Sequence, residues 1–362
     1  MSAKERIKAV ACHLSDQATK TPSAGLEKIL QKSPDDIVIT CAVRTPLTKA
    51  RKVLLFFWPF ANSGLDGSYV LELTPIPEVV NTKSQIDPNL VEDISVGVVL
   101  QPSASFVART AVLAAGFPVT TGASVTSRFC SSGLLSIQSI ASSIAIGAID
   151  VGIAVGCESM SCHNDKPPKL SPMLMNHPIA KDSFMPVGWT SENVAGDFGI
   201  TREMQDRIAV TSHNKAEEAQ KRGWSADEIV PIATQWKDPK TGEVRQIVVD
   251  KDDGIRPGTT YEALSKLRGA FPQWKPTTTT GGNASQVTDG AAAVLMMKRS
   301  TAERLGQNII GKYVMSTIVG LEPRIMGIGP VYAIPKVLEK TGLTKDDIDL
   351  FKINEAFASM VC

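Results

Sequence analysis

The sequence has no excess charge of one sign, no long apolar run and no paired cysteine framework. Its 38 Lys and Arg residues balance 37 Asp and Glu residues, and the formal net charge of +1 gives no electrostatic case for nucleic acid. The best candidate for a membrane span, residues 53–60, is too short and contains Pro59, so we expect no span. The six cysteines follow no disulfide spacing, which favours a reducing compartment.

Metal-binding motifs are also lacking. Cys157, Cys162 and His163 are close in sequence, but their spacing matches no zinc pattern, so we predict no metal site. His177 and His213 lie in a polar stretch, and we expect both at the protein surface. The candidates that remain are side chains that react without a metal.

Strand-like apolar runs alternate with helical stretches from residue 37 onwards. This alternation predicts an α/β fold with a mainly parallel sheet and helical cover. A polar, proline-rich region at 163–276 predicts an insertion that could lie over a site, with an amphipathic helix at 201–222 capped by Thr201. The predicted strands and core segments are 37–43, 91–100, 150–157, 290–297, 312–320 and 348–353, and the predicted helices are 105–115 and 130–149.

An internal repeat predicts two similar halves. The stretches that begin at Ile76-Pro77 and at Ile334-Pro335 both read as a helix, a turn, an acidic cap and a strand. The first copy continues to about residue 161, whereas the second runs only over 334–362. By this symmetry we expect an incomplete second half that lacks roughly 60 residues.

Cys130 is the strongest candidate for a reactive group. It lies between an extended run and a predicted helix, where the helix dipole favours a thiolate and the first amides can hold an oxyanion. Gly133 allows another backbone or a ligand to approach closely. A small buried cysteine at a packed helix start explains this segment equally well. The stretch 277–294 is either a hydrophilic turn or a backbone loop near a ligand, with Ser285 as a donor.

The first residues contain a short amphipathic pattern. Arg6 and His13 share one face of a predicted helix, and Ile7, Val10 and Leu14 share another. An ordinary first helix explains this pattern. The order Arg-Ile, five residues, then His-Leu also resembles an N-terminal peroxisomal targeting helix.

Stretches spread over residues 37–357 resemble the thiolase family, in particular its peroxisomal 3-ketoacyl-CoA type, and they occur in the family's order. They are FCSSG (129–133), GCESMS (156–161), GWTSENVA (188–195), DDGIRP (252–257), LRGAF (267–271), GGNASQVTDGAA (281–292), MGIGPVYAIPKVLEKTGL (326–343) and INEAF (353–357).

The resemblance implies a thiolase-like α/β fold of two similar layered halves with an inserted loop domain, the second half being incomplete here. The implied division is a targeting helix and linker at 1–36, an N-terminal half at 37–162 and 277–297, the insertion at 163–276 and a C-terminal half at 298–362.

The resemblance also implies an acyltransferase of fatty-acid β-oxidation in the peroxisome, which forms a homodimer and meets a peroxisomal import receptor. Such enzymes cleave 3-ketoacyl-CoA with a second CoA into acetyl-CoA and a shortened acyl-CoA, with CoA as a co-substrate and no cofactor. Carried onto the matching motifs, the catalytic residues are the nucleophile Cys130, which forms an acyl-thioester, and Asn354, which holds an oxyanion-hole water. The residues implied to contact CoA or the acyl group are Ser285, Phe271, Phe357 and Met326.

Two groups of the family pattern have no counterpart here. The family has a later Gly-His-Pro histidine and a later Cys-x-Gly-x-Gly cysteine, whereas the last histidine here is His213 and the only later cysteine is Cys362. Because such groups act as a unit, we expect impaired activity. The alternatives are a biosynthetic acetoacetyl-CoA thiolase, or a non-catalytic chain that binds acyl-CoA or pairs with an intact subunit.

Overall fold

The computed structural model describes residues 23–50, 80, 83–101, 103–161, 171–238 and 241–362. The predicted targeting helix at 6–14 and the start of the first repeat at 76–79 lie outside these ranges. The described strands form a seven-stranded sheet and a separate hairpin of β6 and β7. They are β1 (Ile37–Arg44), β2 (Thr48–Lys49), β3 (Asp93–Gly97), β4 (Gly122–Thr126), β5 (Val151–Ser159), β6 (Ile232–Lys237), β7 (Val244–Val249), β8 (Thr288–Lys298) and β9 (Gly311–Lys312).

The described helices include one on each face of the large sheet and several within the predicted insertion. They are α1 (Ala24–Leu30), α2 (Ala104–Ala114), α3 (Ser132–Ala145), α4 (Pro172–Asn176), α5 (Val187–Phe198), α6 (Arg202–Lys221), α7 (Tyr261–Ser265), α8 (Arg299–Arg304) and α9 (Gly329–Thr341). Short 3-10 turns are Pro88–Leu90, Ala180–Phe184, Pro323–Ile328, Lys345–Asp347 and Ala358–Met360. The predicted long helix is confirmed as α6, and the Thr201 hydroxyl caps it by accepting from the Met204 amide.

The large sheet is mixed, so the prediction of a mainly parallel sheet is wrong. Its strand order is β4-β3-β5-β8-β1-β9, with β2 paired to β8. Strands β4, β3 and β5 are parallel, whereas β8 is antiparallel to both of its neighbours, β5 and β1. The apolar run in β8 arises because this central strand is covered on both faces, and such burial does not depend on strand direction.

The two faces of the sheet bury two separate apolar clusters. Strands β5 and β8 alternate between them, so that Ile153 faces the cluster beneath α2 and Ala154 faces the cluster beneath α3. On the α3 side, Ile140 and Ile144 are fully buried. Each such side chain contributes about 1.5–3 kcal/mol of burial free energy, which holds α3 on the sheet.

A predicted core segment and a predicted strand near the C-terminus are wrong. None of residues 312–320 is buried, and only Lys312 among them belongs to a strand. Residues 348–353 are irregular, with Leu350 and Phe351 exposed. A strand needs a neighbour to pair its backbone. Among the described residues, the ladder contact nearest to 348–353 is the single bridge between Ala284 and Phe357.

Candidate active site

The direction of the strands brings several segments to one edge of the sheet. Strands β3, β4 and β5 are parallel, so their carboxyl ends meet at this edge. Strand β8 is antiparallel to β5, with Asp289 opposite Ser159, and therefore begins at the same edge. Cys130, which follows β4, and the loop 277–287, which precedes β8, consequently lie at one edge, where chemistry gathers in α/β proteins.

Cys130 lies in a tight turn between β4 and α3. Phe129 has a φ of +47°, a left-handed conformation that is strained for a residue with a side chain. The Ser132 hydroxyl donates to the Phe129 carbonyl (2.6 Å), and the Ser131 hydroxyl donates to the Arg128 carbonyl (2.8 Å). The Cys130 thiol is exposed beside the start of α3, so the alternative of a buried structural cysteine is wrong.

Glycine contacts fix the start of α3 on the sheet. A Cβ on Gly97 of β3 would lie 2.3 Å from the Ser132 carbonyl oxygen. A Cβ on Gly156 of β5 would lie 3.3 Å from the Cα of Gly133. The first turn of α3 therefore touches strand backbone directly, which confirms the predicted close approach at Gly133 and fixes the chain beside Cys130.

A cavity of about 470 Å³ lies between α6, the loop before β8 and the C-terminal segment. Ser285 and Asn354 both line it, so the fold brings these two predicted site residues together. The remaining predicted site residues are not among those lining it: Cys130, Phe271, Phe357 and Met326. The cavity is thus a place for a ligand at the sheet edge that also carries the exposed thiol.

The C-terminal segment pairs with the loop that carries Ser285. The Ser285 amide donates to the Ala356 carbonyl (2.9 Å), and the Ala358 amide donates to the Asn283 carbonyl (2.9 Å). Between these bonds, Phe357 forms an isolated bridge with Ala284 and is half-buried. The pairing places Asn354 in the cavity wall two residues before the first of these hydrogen bonds.

Buried hydrogen bonds hold the same loop against α5. Glu192 is 4% exposed, and its carboxylate accepts from the amides of Thr278 (3.1 Å) and Thr279 (2.8 Å). The Ser191 hydroxyl is shared with those of Thr279 (2.8 Å) and Ser359 (2.7 Å). Because unmade buried hydrogen bonds are costly, these contacts tie the insertion, the loop and the C-terminal segment together.

Phe271 and Met326 lie near α5. The Phe271 ring is half-buried against Gly188, where a Cβ would come within 2.0 Å of its Cζ atom. Met326 is half-buried in the turn Pro323–Ile328, and the Asn193 amide group of α5 donates to a carbonyl of this turn (2.9 Å). The structure thus locates both side chains, and their predicted roles in ligand binding stay predictions.

Several cavity residues were missed from the sequence. His213 was expected at the surface, but it is half-buried in the cavity wall with Nε2 3.3 Å from the Gly282 carbonyl oxygen. His177 is exposed, as expected. Arg256 and Ser212 also line the cavity. Arg256 lies within the DDGIRP stretch, which is a signal that could have identified it, whereas Ser212 has no such local signal.

An ion-pair network holds the loop that carries Arg256. Arg44, at the end of β1, donates two hydrogen bonds to the Asp252 carboxylate (2.7 and 2.9 Å) and one to Glu228 (3.0 Å). Burial lowers the pKa of Arg44, but the bonds to these two carboxylates outweigh it and raise that pKa above its ordinary value. Arg44 is therefore a fixed cation that anchors the loop to the sheet.

Within the described ranges, no helix is long and apolar enough to cross a bilayer. The same ranges contain no cluster of three or more His, Cys, Asp or Glu residues placed to hold a metal ion.

An exposed cysteine at a helix start, at the same edge of a layered α/β sheet as a ligand-sized cavity, is an arrangement that suits an α/β enzyme transferring an acyl group through a thiol. The chain belongs to the thiolase family. Residues 37–300 match the model of the thiolase N-terminal domain, and residues 307–362 match that of the thiolase C-terminal domain. The fold is accordingly the thiolase fold, whereas the finer division of the chain into an insertion and two halves stays a prediction.

Similar proteins indicate which type of thiolase the chain resembles. The chain is 47% identical to the peroxisomal 3-ketoacyl-CoA thiolase A of Candida tropicalis, over 92% of this chain and 79% of that protein. It is 43% identical to the peroxisomal 3-ketoacyl-CoA thiolase A of Rattus norvegicus, over 99% of this chain and 81% of that protein. The crystal structure of the dimeric peroxisomal thiolase of Saccharomyces cerevisiae superposes with a TM-score of 0.77 at 40% identity, covering 92% and 83% of the two chains.

Proposed function

We propose that this chain cleaves 3-ketoacyl-CoA with CoA into acetyl-CoA and a shortened acyl-CoA in peroxisomal fatty-acid β-oxidation. The observation that carries the proposal is the exposed Cys130 at the start of α3, on the same sheet edge as the cavity lined by Ser285 and Asn354. Relatives at 43–47% identity that are named peroxisomal 3-ketoacyl-CoA thiolases support the substrate class and the compartment.

The chemistry begins at the Cys130 sulfur. The thiolate adds to C3 of the substrate, the C2–C3 bond breaks, and its electron pair leaves on C2 as the acetyl-CoA enolate, which takes up a proton. The acyl group remains on Cys130 as a thioester until the thiolate of a second CoA attacks it and releases the cysteine. Asn354 supports these steps by holding a water that donates to the developing oxyanion.

The cavity suits coenzyme A as the co-substrate. Arg256 provides a cation for an anionic phosphate, and Ser285, whose hydroxyl donates to the Gln286 carbonyl (3.0 Å), provides a polar group in the same lining. Arg44 keeps the Arg256 loop in place through Asp252. We therefore assign bound CoA to this cavity, with its thioester end directed towards Asn354 and Cys130.

A homodimer is part of the proposal. The Saccharomyces cerevisiae relative is described as dimeric. In this chain β4 is an edge strand of the described sheet, and Phe106, Val119 and Phe129 near it are 67–79% exposed. Light scattering on the purified chain measures the assembly, and a monomeric mass would reject the dimer.

Delivery to the peroxisome is assigned to the pattern Arg6–Leu14, which lies outside the described residues. We expect an import receptor to bind its Arg-Ile and His-Leu pairs. Exchange of Arg6 for Glu in a fluorescent fusion is expected to leave the protein in the cytosol, and unchanged import would reject this assignment.

The experiment that tests the function is detection of the acyl-enzyme. The purified chain is mixed with 3-ketooctanoyl-CoA, and intact-mass spectrometry follows the hexanoyl adduct, with Cys130→Ser as the control that forms none. Absence of any hexanoyl adduct on the wild-type chain would refute the proposal.

A further inference from the structure

The stretch of chain that contains Asn354 has few contacts to hold it. Residues 348–356 are irregular, and Asn354 is exposed. In the described part of the chain, backbone hydrogen bonds tie this stretch at Ile348 and at Ala356, and none reaches the residues between them. Something else must fix the approach to Ala356 if Asn354 is to keep one position.

A single side-chain contact fills this gap. The Ser212 hydroxyl of α6 donates to the Glu355 carboxylate, immediately after Asn354. Both Ser212 and Glu355 line the cavity. Among the described residues, this is the one hydrogen bond that reaches the chain between Asp349 and Glu355. It therefore connects the wall formed by α6 to the wall that carries Asn354.

The charge of the cavity makes this contact important for an anionic ligand. Glu355 lines the same cavity as Arg256, so an anionic ligand bound there meets the Glu355 carboxylate as a like charge. A hydrogen bond to a carboxylate is roughly twice as strong as one between neutral groups. The Ser212 hydroxyl thus holds Glu355 in place while an anion occupies the cavity.

We propose that the Ser212–Glu355 hydrogen bond fixes Asn354 in the cavity wall, which makes Ser212 and Glu355 positioning residues for the acylation of Cys130. This inference rests on the proposed function, in which Asn354 holds the water that meets the developing oxyanion. The covalent step is the one given above: sulfur bonds to C3, the C2–C3 bond breaks, and the electron pair leaves as the enolate, which takes a proton from water.

The test measures single-turnover acylation of Cys130 by 3-ketooctanoyl-CoA. Ser212→Ala and Glu355→Ala are each expected to slow acylation about tenfold, because small displacements of a positioned group cost large factors in rate. The double variant is expected to be no slower than either single variant, since both remove one hydrogen bond. Ser212→Thr and Glu355→Gln keep a donor and an acceptor, and should restore most of the rate.

Two further readouts separate positioning from folding. The thermal unfolding midpoint is expected to stay unchanged in both alanine variants, and the affinity for CoA by calorimetry is expected not to fall, with Glu355→Ala binding at least as tightly because it removes a like charge. Matched controls are Thr211→Ala on the same helix and Asp349→Asn on the same irregular stretch. Within the described ranges, the Thr211 hydroxyl bonds only to the Arg207 carbonyl. Both controls should acylate at the wild-type rate.

The outcomes distinguish failure of the positioning role from failure of the proposed function. Acylation of wild type with unchanged rates in Ser212→Ala and Glu355→Ala would overturn the positioning role alone. Loss of rate that is matched by loss of stability or of CoA affinity would also overturn it, since the contact would then be structural. No acylation of wild type would overturn the proposed function and the positioning role together.

Discussion

At the scale of single residues, the contact between Gly188 and Phe271 makes a testable link between packing and binding. A Cβ at residue 188 would lie 2.0 Å from the Phe271 Cζ atom, so the ring must leave its present place in Gly188→Ala. If Phe271 contacts CoA as predicted, this variant should bind CoA about tenfold more weakly, which calorimetry measures. Overpacking should also lower the free energy of unfolding by about 1–3 kcal/mol.

The control for this substitution lies on the same helix. Gly196 also belongs to α5, but a Cβ there would meet nothing within 4 Å. Gly196→Ala should therefore keep full CoA affinity and gain about 0.5–1 kcal/mol of stability from the higher helix propensity of alanine. Equal CoA affinity in the two variants would contradict the predicted role of Phe271.

At the scale of secondary-structure elements, the contact between β3 and α3 determines where the nucleophile lies. The first turn of α3 touches Gly97 so closely that a Cβ would come within 2.3 Å of the Ser132 carbonyl oxygen, and backbone atoms have little room to yield. Gly97→Ala should push the start of α3, with Cys130, away from the sheet. We expect at least a hundredfold slower acylation, because a displacement of about 1 Å costs this much.

Measurement of the acyl-enzyme by mass spectrometry tests this expectation, with circular dichroism to establish that the variant is folded. Gly311→Ala in β9 is the matched control, because a Cβ there meets nothing within 4 Å. A folded Gly97→Ala variant that acylates at the wild-type rate would show that the β3–α3 contact does not determine the position of Cys130.

The elements also show which parts of the fold the sequence can predict. Helix α6 and the strands around residues 37, 93 and 151 were predicted because apolar periodicity and a capping residue are local signals. The direction of β8 was not, because a central strand is apolar on both faces whichever way it runs. Residues 348–353 look like a buried strand, yet their environment depends on partners far away in the sequence.

The residues of the candidate site likewise fall into those that the sequence could identify and those that only the structure reveals. Cys130, Ser285 and Asn354 could be identified from local motifs and the family resemblance. Glu355 lies in the same INEAF motif, but its partner Ser212 could not be identified, because their hydrogen bond joins residues 143 positions apart and follows only from the tertiary fold. Contacts of this kind have no periodicity or motif in the sequence, and the structure is needed to find them.

At the scale of the whole molecule, a buried ion cluster joins the two family domains. Asp36, immediately before β1, accepts from Arg299 at the start of α8 (3.0 Å) and forms an ion pair with Lys312 of β9 (2.7 Å). Arg299 lies in the region matched by the N-terminal domain model and Lys312 in that matched by the C-terminal model. One carboxylate thus holds the two domains together beside the pairing of β1 with β9.

This ion cluster predicts how the thermal stability of the protein depends on pH. Burial raises the pKa of Asp36, but hydrogen bonds from Lys312, the Ser33 amide and Arg299 outweigh it and lower the pKa from 3.8 to about 2. A carboxylate with a depressed pKa in the folded state stabilises the fold fully above its unfolded value of 3.8. This contribution is lost as pH falls towards about 2. Wild type should therefore unfold at a higher temperature than Asp36→Asn at pH 5, and the difference should shrink between about pH 4 and pH 2.

Thermal unfolding of both proteins across this pH range measures the difference directly. Asp35→Asn is the matched control, because the Asp35 side chain is 82% exposed and its contact with Lys298 is 3.6 Å long. Exposed pairs contribute little, so this variant should follow wild type at every pH. A gap between wild type and Asp36→Asn that stays constant down to pH 2 would mean that the asparagine perturbs packing. The charge of Asp36 would then not be what holds the two domains together.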